Sequence, residues 1–328
     1  MKTGKLISLL ILAVILALLP FVVKSPYLMG IFIMAVVNAI LGMTFSIIFS
    51  TGSITLGAAG FYVTGAYCSA VLTTVLGLSF WLALPLAAIV TGIIALIVGL
   101  IIVRSSVLAF LFLTVVYNLT IISLIGHTEL LGGWAGITNI PRPESIPIPF
   151  HAPIQFLGKI PYYYLVLFLL LLTIVVFYAL YSSRIGRGWR AIKLNPQLAA
   201  SLGINVFRYR LLAFVVACIF AGLAGSFYAS YSTALVPEGF GVFESVFIQI
   251  YAILGGLNSY IAGPIVGAFI LTWMPELLRI SKEIEPIIDG FILVILVVFL
   301  PGGILSLPER ASRLWTPVVK IARRIRSW

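Results

Sequence analysis

The sequence predicts an all-α, polytopic membrane protein with about ten transmembrane helices. Two observations carry this prediction. Of the 328 residues, 62% are hydrophobic and 9% are charged, whereas soluble domains are about half apolar and about a quarter charged. Apolar runs of about 16 to 22 residues also recur along the whole chain, and a helix needs about 20 such residues to cross a bilayer core. We therefore expect a single transmembrane domain over residues 1–328, without a soluble catalytic domain.

The predicted membrane segments alternate with short polar turns. They cover roughly residues 6–23, 28–49, 54–76, 80–103, 106–126, 161–182, 211–231, 242–257, 264–280 and 286–305. The first segment has the basic start and apolar stretch of a secretory signal, but no small-residue cleavage site follows it. Because the segment is long enough to span the bilayer, we expect it to be retained as the first helix.

Basic residues are concentrated on one predicted side of the membrane. With the N-terminus inside, fifteen of the twenty Lys and Arg residues fall at the N-terminus, in cytoplasmic turns, in the loop 183–210 and in the tail 306–328. Short cytoplasmic loops carry most of the Lys and Arg of membrane proteins. The sequence therefore predicts cytoplasmic N- and C-termini in a multi-pass protein of the cell membrane. We expect the tail to rest on anionic membrane lipids, which explains most of the net charge of +11 without nucleic acid.

The loop 183–210 combines six basic residues with the signals of a short helix. Asn195 is a good N-cap, Pro196 suits the first helical position, and Gly203 offers a left-handed stop. A helix this short is unstable alone in water, so it needs a surface to pack on. Its apolar residues are predicted to share one face: Leu198, Ala199 and Leu202.

Two interpretations of this loop follow from its residues. It is either a basic cytoplasmic loop with one surface turn of helix, or a docking site for a cytoplasmic partner. In the second interpretation, the short apolar face is ringed by four basic side chains: Arg184, Arg187, Arg190 and Lys193. The residues alone leave both interpretations open.

Six motifs resemble segments of one transporter family, in the same order. GAAGFYVTGAY covers Gly57–Tyr67, HTELLGGWAGITNIPRP covers His127–Pro143, and GRGWRAIKLNPQLAASLG lies in the basic loop. VPEGFGVFESVF, ILGGLNSYIAGPIVGA and FLPGGIL follow in the last third of the chain. Together these motifs resemble the LivM-type permeases of ABC importers for branched-chain amino acids, and the resemblance covers nearly the whole chain.

The resemblance implies the partners and the mechanism of such an importer. The chain would pair with a homologous second permease, two cytoplasmic ATP-binding subunits and an external substrate-binding protein. It would dock on the ATPase through a coupling helix, with these residues involved: Arg190, Asn195, Pro196, Leu198, Ala199, Leu202 and Gly203. The segment IVRSSVLAFLFLTVVYNL departs from the family pattern, which leaves the identity of the carried solute open.

The sequence lacks the residues that several other functions require. No G-x-x-x-x-G-K-[ST] loop is present to bind the phosphates of ATP. His127 and His151 are the two histidines, both in one predicted outer loop, and no catalytic set, metal-ligand cluster or cofactor motif accompanies them. The acidic residues lie near predicted segment ends, whereas proton-coupled carriers place them deep in the bilayer. We therefore expect neither an enzyme nor a bound cofactor.

Small residues predict where helices approach each other closely. Four of them recur every four positions in the segment 211–231: Ala217, Ala221, Gly225 and Ala229. The glycines Gly57, Gly60 and Gly65 have two interpretations. They allow either close packing or a broken helix whose backbone lines a cavity.

A weakly polar path is predicted from polar side chains in otherwise apolar segments. Four residues are expected to line it: Thr55, Tyr62, Thr114 and Asn118, with Asn38 and Thr44 as further candidates. Each could equally make an interhelical hydrogen bond, which contributes about 1 kcal/mol in membranes. A permease for urea, short amides or another small solute, and a gradient-driven carrier, remain as alternative functions.

Overall fold

The computed structural model describes residues 19–20, 25–145, 155–257, 259–278, 290 and 303–304. Within these residues the chain forms ten α-helices, and its β-pairing is a single bridge between Ile137 and Leu235. The helices are α1 (Pro26–Phe49), α2 (Ala58–Thr74), α3 (Phe80–Ile102), α4 (Val107–Gly126), α5 (Lys159–Ser182), α6 (Arg184–Leu194), α7 (Pro196–Ser201), α8 (Val206–Ser232), α9 (Val242–Gly255) and α10 (Ala262–Leu278).

The eight predicted segments from 28–49 to 264–280 each coincide with one of these helices. Six helical stretches are long and apolar enough to cross a membrane: α1, α3, α4, α5, α8 and the stretch Pro237–Gly255 that ends with α9. Helices α2 and α10 are shorter, with 17 residues each. The predicted segments 6–23 and 286–305 lie almost wholly outside the described residues, and the tail 306–328 lies outside them entirely.

Helix α1 forms the centre of the bundle. Its residues from Ala35 to Ile48 are all buried, because α5, α8, α9 and α10 pack around it. A helix that is covered on all sides is apolar all round, and this stretch reads AVVNAILGMTFSII. Helices α5, α8, α9 and α10 are therefore positioned by direct contacts with α1, while α4 packs mainly on α2.

Helix α3 places small residues inward and large residues outward. The buried positions along the helix include Ala83, Ala87, Thr91, Gly92, Ala95 and Gly99, and α3 packs on α8. The exposed positions include Leu82, Leu86, Ile89, Ile93, Leu96, Ile97 and Leu100. In lipid, close packing rather than the hydrophobic effect drives helix association. This distribution is therefore typical of a helix at the lipid-facing edge of a membrane domain.

Helices α2 and α8 touch backbone to backbone. A Cβ atom at Gly65 would collide with the backbone of Gly222, and one at Gly225 would collide with the backbone of Tyr62. The hydroxyl of Ser226 also donates to Ser69 Oγ across the interface, at 2.8 Å. The prediction that the small-residue row in the segment 211–231 mediates close packing is thus confirmed. For Gly65, the packing interpretation is the correct one.

Two described turns that are predicted to be cytoplasmic lie against the basic loop. Lys193 of α6 lies over the ring of Phe49 at the end of α1, and the guanidinium of Arg104 lies 4.9 Å from the ring centroid of Phe207. At the opposite end of the bundle, Ile137 pairs with Leu235. The ends of α1 and α3 thus both lie near the basic loop, as is expected of turns on the same side of the membrane.

Candidate functional site

The polypeptide leaves helical geometry between α1 and α2, over residues 50–57. Three side chains accept hydrogen bonds from the backbone where α2 begins. Thr55 Oγ1 accepts from Gly57 N at 3.1 Å, Thr114 Oγ1 of α4 accepts from Leu56 N at 3.1 Å, and Ser245 Oγ of α9 accepts from Ala59 N at 3.0 Å. Irregular backbone survives at membrane depth only when protein groups or water satisfy it.

Two more polar side chains complete this cluster, which we name the polar junction: Thr55, Thr114, Asn118, Ser245 and Gln249. The Gln249 amide donates to the Thr55 carbonyl at 2.7 Å. The Asn118 amide donates to Ser245 Oγ at 3.4 Å. The junction therefore joins the start of α2 to α4 and α9 through side chains rather than through backbone pairing.

Asn118 carries an unsatisfied polar atom inside this cluster. Its side chain is 0% exposed, and its Oδ1 has no hydrogen-bond partner among the described residues. A buried acceptor left without a partner costs about 1–3 kcal/mol. Exchanging the oxygen and nitrogen of the amide would move the unsatisfied atom without removing it. The junction thus contains a buried acceptor that the described residues leave unsatisfied.

A cavity of about 390 Å³ lies next to the junction. It is lined by Met34, Tyr62, Tyr228, Ser232, Ala234, Leu235, Val236, Gly239, Phe240 and Glu244. We name it the aromatic cavity. Glu244 of the cavity and Ser245 of the junction are consecutive residues, and Tyr62 lies one turn of α2 beyond Ala59. The cavity and the junction are therefore built from neighbouring residues of α2 and α9.

The structure brings together three of the four residues predicted to line a path. Thr55, Thr114 and Asn118 belong to the polar junction, while Tyr62 lies in the wall of the adjacent aromatic cavity. The two further candidates make helix hydrogen bonds, and Thr44 also lines a small cavity together with Thr55. Asn38 donates to Thr272 Oγ1 of α10 at 3.0 Å, and the Thr44 hydroxyl donates to the Leu41 carbonyl of its own helix at 2.6 Å.

Sequence analysis missed Ser245 and Gln249 as members of this site. The signal that could have found them is their spacing of four residues on the apolar helix α9, which puts both side chains on one face. Their role could not be read from α9 alone, because it depends on the broken backbone before α2.

The basic loop contains two helices, whereas one had been predicted. The start of the predicted helix is correct: Asn195 Oδ1 accepts from Gln197 N and Leu198 N, both at 3.0 Å, and Pro196 is the first helical residue. Gly203 adopts a left-handed φ of +82°, as predicted for the stop. Helix α6, just before it, was not predicted.

Three side chains fasten α6 to the bundle. Trp189 is 0% exposed, and its indole N–H donates to the Tyr209 carbonyl of α8 at 2.8 Å. Arg190 donates to the Tyr181 carbonyl of α5 at 3.2 Å. The Lys193 ammonium lies 3.9 Å from the Phe49 ring centroid and 5.3 Å from that of Tyr260. Partial burial there lowers the pKa of Lys193 from its ordinary value.

The apolar residues of the predicted short helix point in two directions, which corrects the expectation of a single face. Ala199 is only 2% exposed, whereas Leu198 is 59% and Leu202 is 73% exposed. Leu194, at the end of α6, is 87% exposed. Ala199 thus packs inward, whereas three leucines are exposed on the surface. We name Leu194, Leu198 and Leu202 the leucine row. The neighbouring basic side chains Arg184, Arg187 and Arg190 are also exposed.

Comparison with known proteins places the chain in a family. Residues 27–301 match the family described as "Branched-chain amino acid transport system / permease component". The chain is 31% identical to the high-affinity branched-chain amino acid transport system permease protein LivM of Salmonella typhimurium, over 92% of this chain and 76% of the relative.

Two further relatives cover less of the chain. LivH, a high-affinity branched-chain amino acid transport system permease protein of the same organism, is 29% identical over 58% of this chain and 65% of its own length. The guanosine ABC transporter permease protein NupQ of Bacillus subtilis is 31% identical over 31% of this chain and 33% of its own length. No solved structure matches the chain significantly. By the family match and the similarity to LivM, the chain belongs to the family of permease components of branched-chain amino acid transport systems.

Proposed function

We propose that this chain is the permease subunit of an ATP-driven ABC importer for branched-chain amino acids. One observation carries the proposal: an exposed leucine row stands on a basic surface that is anchored to the ends of α1, α5 and α8. Exposed apolar patches rimmed by polar residues mark protein interaction sites. The loop 183–210 is then the coupling loop, and the leucine row docks on the ATPase.

The partners follow from what this sequence contains and lacks. It has no phosphate-binding G-x-x-x-x-G-K-[ST] loop, so two separate cytoplasmic subunits bind ATP. A homologous second permease completes the membrane domain, and similarity to both LivM and LivH supports such a pair. An external binding protein delivers the solute. With about ten membrane helices, the chain has both termini in the cytoplasm, and its basic tail contacts membrane lipids.

In the proposed mechanism, ATP-driven movement of the ATPases is transmitted through α6 and α7. The coupling residues are Arg190, Asn195, Pro196, Leu198, Ala199, Leu202 and Gly203. Because Lys193 contacts Phe49 and Arg190 contacts Tyr181, a push on this loop reaches the ends of α1 and α5. Rigid-body shifts of these helices open the route first to one side of the membrane and then to the other.

The translocation route passes the aromatic cavity and the polar junction, with Thr55, Tyr62, Thr114 and Asn118 along it. Its polar groups are few, which suits a solute that passes without being held tightly. Another small solute of the same superfamily is the second candidate, since similarity to the guanosine permease NupQ extends over part of the chain. ATP-dependent uptake of leucine, with urea and guanosine as unlabelled competitors, separates the candidates.

The docking role is tested with Leu198→Asp and Leu202→Asp in the assembled complex. We expect each variant to weaken copurification of the ATPase and to abolish ATP-dependent leucine uptake, because a charge would be buried at the interface. Ala200→Asp is the matched control: Ala200 is exposed on the same helix but lies outside the leucine row. Normal ATPase recovery and uptake by both leucine variants would overturn the docking role.

The assembly itself is tested by gentle affinity purification of the tagged wild-type chain from native membranes. The expected result is recovery of an ATPase that has a phosphate-binding loop, together with a second permease. Recovery of the chain alone, even after mild cross-linking, would contradict the importer and favour a gradient-driven carrier.

A further inference from the structure

The aromatic cavity has the composition of a cation-binding site. Of the ten described residues that line it, Glu244 alone carries a charge at neutral pH. The rest of the wall is formed by three aromatic rings, aliphatic side chains, small residues and one serine hydroxyl. A solute in this cavity therefore meets a single negative charge in largely apolar surroundings, where charge interactions are stronger than in water.

Glu244 lies at the positive end of a helix dipole. The residue lies in the first turn of α9, where the partial positive charge of the helix N-terminus stabilises an anion. Its side chain is half-buried, so bulk solvent screens its charge only in part. Glu244 thus provides a fixed negative charge in the wall of the cavity.

The three rings pack against one another beside this carboxylate. The centroid of Tyr62 lies 5.2 Å from that of Phe240 and 5.6 Å from that of Tyr228, and the Tyr228 and Phe240 centroids are 5.8 Å apart. Tyr62 and Phe240 are buried, while Tyr228 is partly exposed. The cluster thus holds the Tyr228 ring rigidly in the cavity wall. Aromatic faces attract ammonium groups.

We propose that the aromatic cavity is a binding subsite for the ammonium group of the transported solute. The ammonium sits against the Glu244 carboxylate and the Tyr228 ring. An aliphatic side chain of the solute contacts the apolar wall formed by Met34, Leu235 and Val236. The proposal rests on the proposed function and sharpens it: the cargo carries a positively charged amino group. Urea, short amides and nucleosides lack that group, so the subsite favours an amino acid over all of them.

The first test is uptake by the complete complex in proteoliposomes, with radiolabelled leucine at a low concentration. Glu244→Gln keeps the shape of the side chain and removes its charge. We expect uptake to fall about tenfold or more, the loss that accompanies a missing charge-assisted contact. Glu238→Gln is the matched control, because Glu238 is exposed in the preceding segment and does not line the cavity; it keeps wild-type uptake.

The second test measures the preference of the cavity for cations without transport. Ser232→Cys places a nearly isosteric thiol in the cavity wall, in a chain whose two native cysteines are replaced by alanine. A positively charged thiosulfonate should modify this thiol several-fold faster than a negatively charged one of similar size, and leucine should slow the reaction. Adding Glu244→Gln should abolish the charge preference, and adding Glu238→Gln should leave it intact.

The outcomes separate this inference from the proposed function. If the wild-type complex takes up leucine and Glu244→Gln behaves like Glu238→Gln, the subsite is overturned and the importer stands. Equal modification rates for the two reagents would also overturn the subsite. If the complex takes up no leucine, the proposed function fails, while a charge preference that depends on Glu244 would still support an ammonium site.

Discussion

The ammonium nitrogen of Lys193 lies 3.9 Å from the ring centroid of Phe49. Phe49 is the last residue of α1, the most buried helix of the bundle, and Lys193 is in the last turn of α6. The same ammonium lies 5.3 Å from the ring centroid of Tyr260, in the turn between α9 and α10. The Lys193 side chain therefore contacts both the end of α1 and the turn that joins α9 to α10.

Replacing Lys193 tests whether this contact transmits force. We expect Lys193→Met to keep ATP hydrolysis in the complex but to lower leucine uptake per ATP several-fold, since a cation–π contact contributes about 0.5–2 kcal/mol. Lys193→Arg retains a cation over both rings and should keep most of the coupling. The readout is the ratio of uptake to hydrolysis in proteoliposomes. An unchanged ratio in Lys193→Met would show that this contact is not part of the coupling route.

Gly65→Ala tests the backbone contact between α2 and α8. The added Cβ would collide with the backbone of Gly222, and overpacking costs about 1–3 kcal/mol. We expect a lower melting temperature in detergent, measured by intrinsic fluorescence. Gly158→Ala is the control, because a Cβ there meets no atom within 4 Å and the φ of Gly158 is −100°. Equal stability of the two variants would contradict the packing described for α2 and α8.

Thr114→Val tests the polar junction. The change is nearly isosteric but removes the acceptor of the Leu56 amide, and an unsatisfied buried amide costs about 1–3 kcal/mol. Thr173→Val is a matched control: Thr173 is also 0% exposed, and its hydroxyl only donates to the Leu169 carbonyl of its own helix. We expect a larger loss of thermal stability and of uptake for Thr114→Val. Similar losses in both variants would argue that the junction merely fills space.

The predicted sidedness of the membrane domain is tested by cysteine labelling in intact cells. Ser145→Cys and Ser182→Cys are nearly isosteric, and both serines are exposed. In a chain without its native cysteines, an impermeant maleimide should label position 145 from outside. It should reach position 182 only after the cells are permeabilised. The reverse pattern would invert the orientation and place the leucine row outside the cell.

The membrane helices could be predicted because length and apolarity are local properties of the chain. Helix α6 could not be predicted in this way. Its arginines make the segment polar overall, although Trp189 and Ile192 are buried. Once the helix is known, the pattern is clear: Gly188, Trp189 and Ile192 point inward while Arg187 and Arg190 point outward. A short amphipathic helix can be recognised only when the surface on which it packs is known. Here that surface is formed by α5 and α8.

The polar junction could be predicted in part, for a similar reason. Thr55, Thr114 and Asn118 stand out as polar residues in apolar segments. In the structure they lie in one cluster, the polar junction. Ser245 acquires its role from the amide of Ala59, which is 186 residues away in sequence. Such a partnership is set by tertiary packing and leaves no local signature. Asn38 and Thr44 gave the same local signal, yet their hydrogen bonds serve helix contacts.

The leucine row has a consequence for the life of the subunit in the cell. Before its partner arrives, a newly made chain presents Leu194, Leu198 and Leu202 to water. Apolar side chains exposed in this way favour self-association and attract the chaperones and proteases that remove unpaired subunits. We therefore expect the abundance of this chain to follow that of its ATPase, so that excess copies are cleared and assembly sets the stoichiometry.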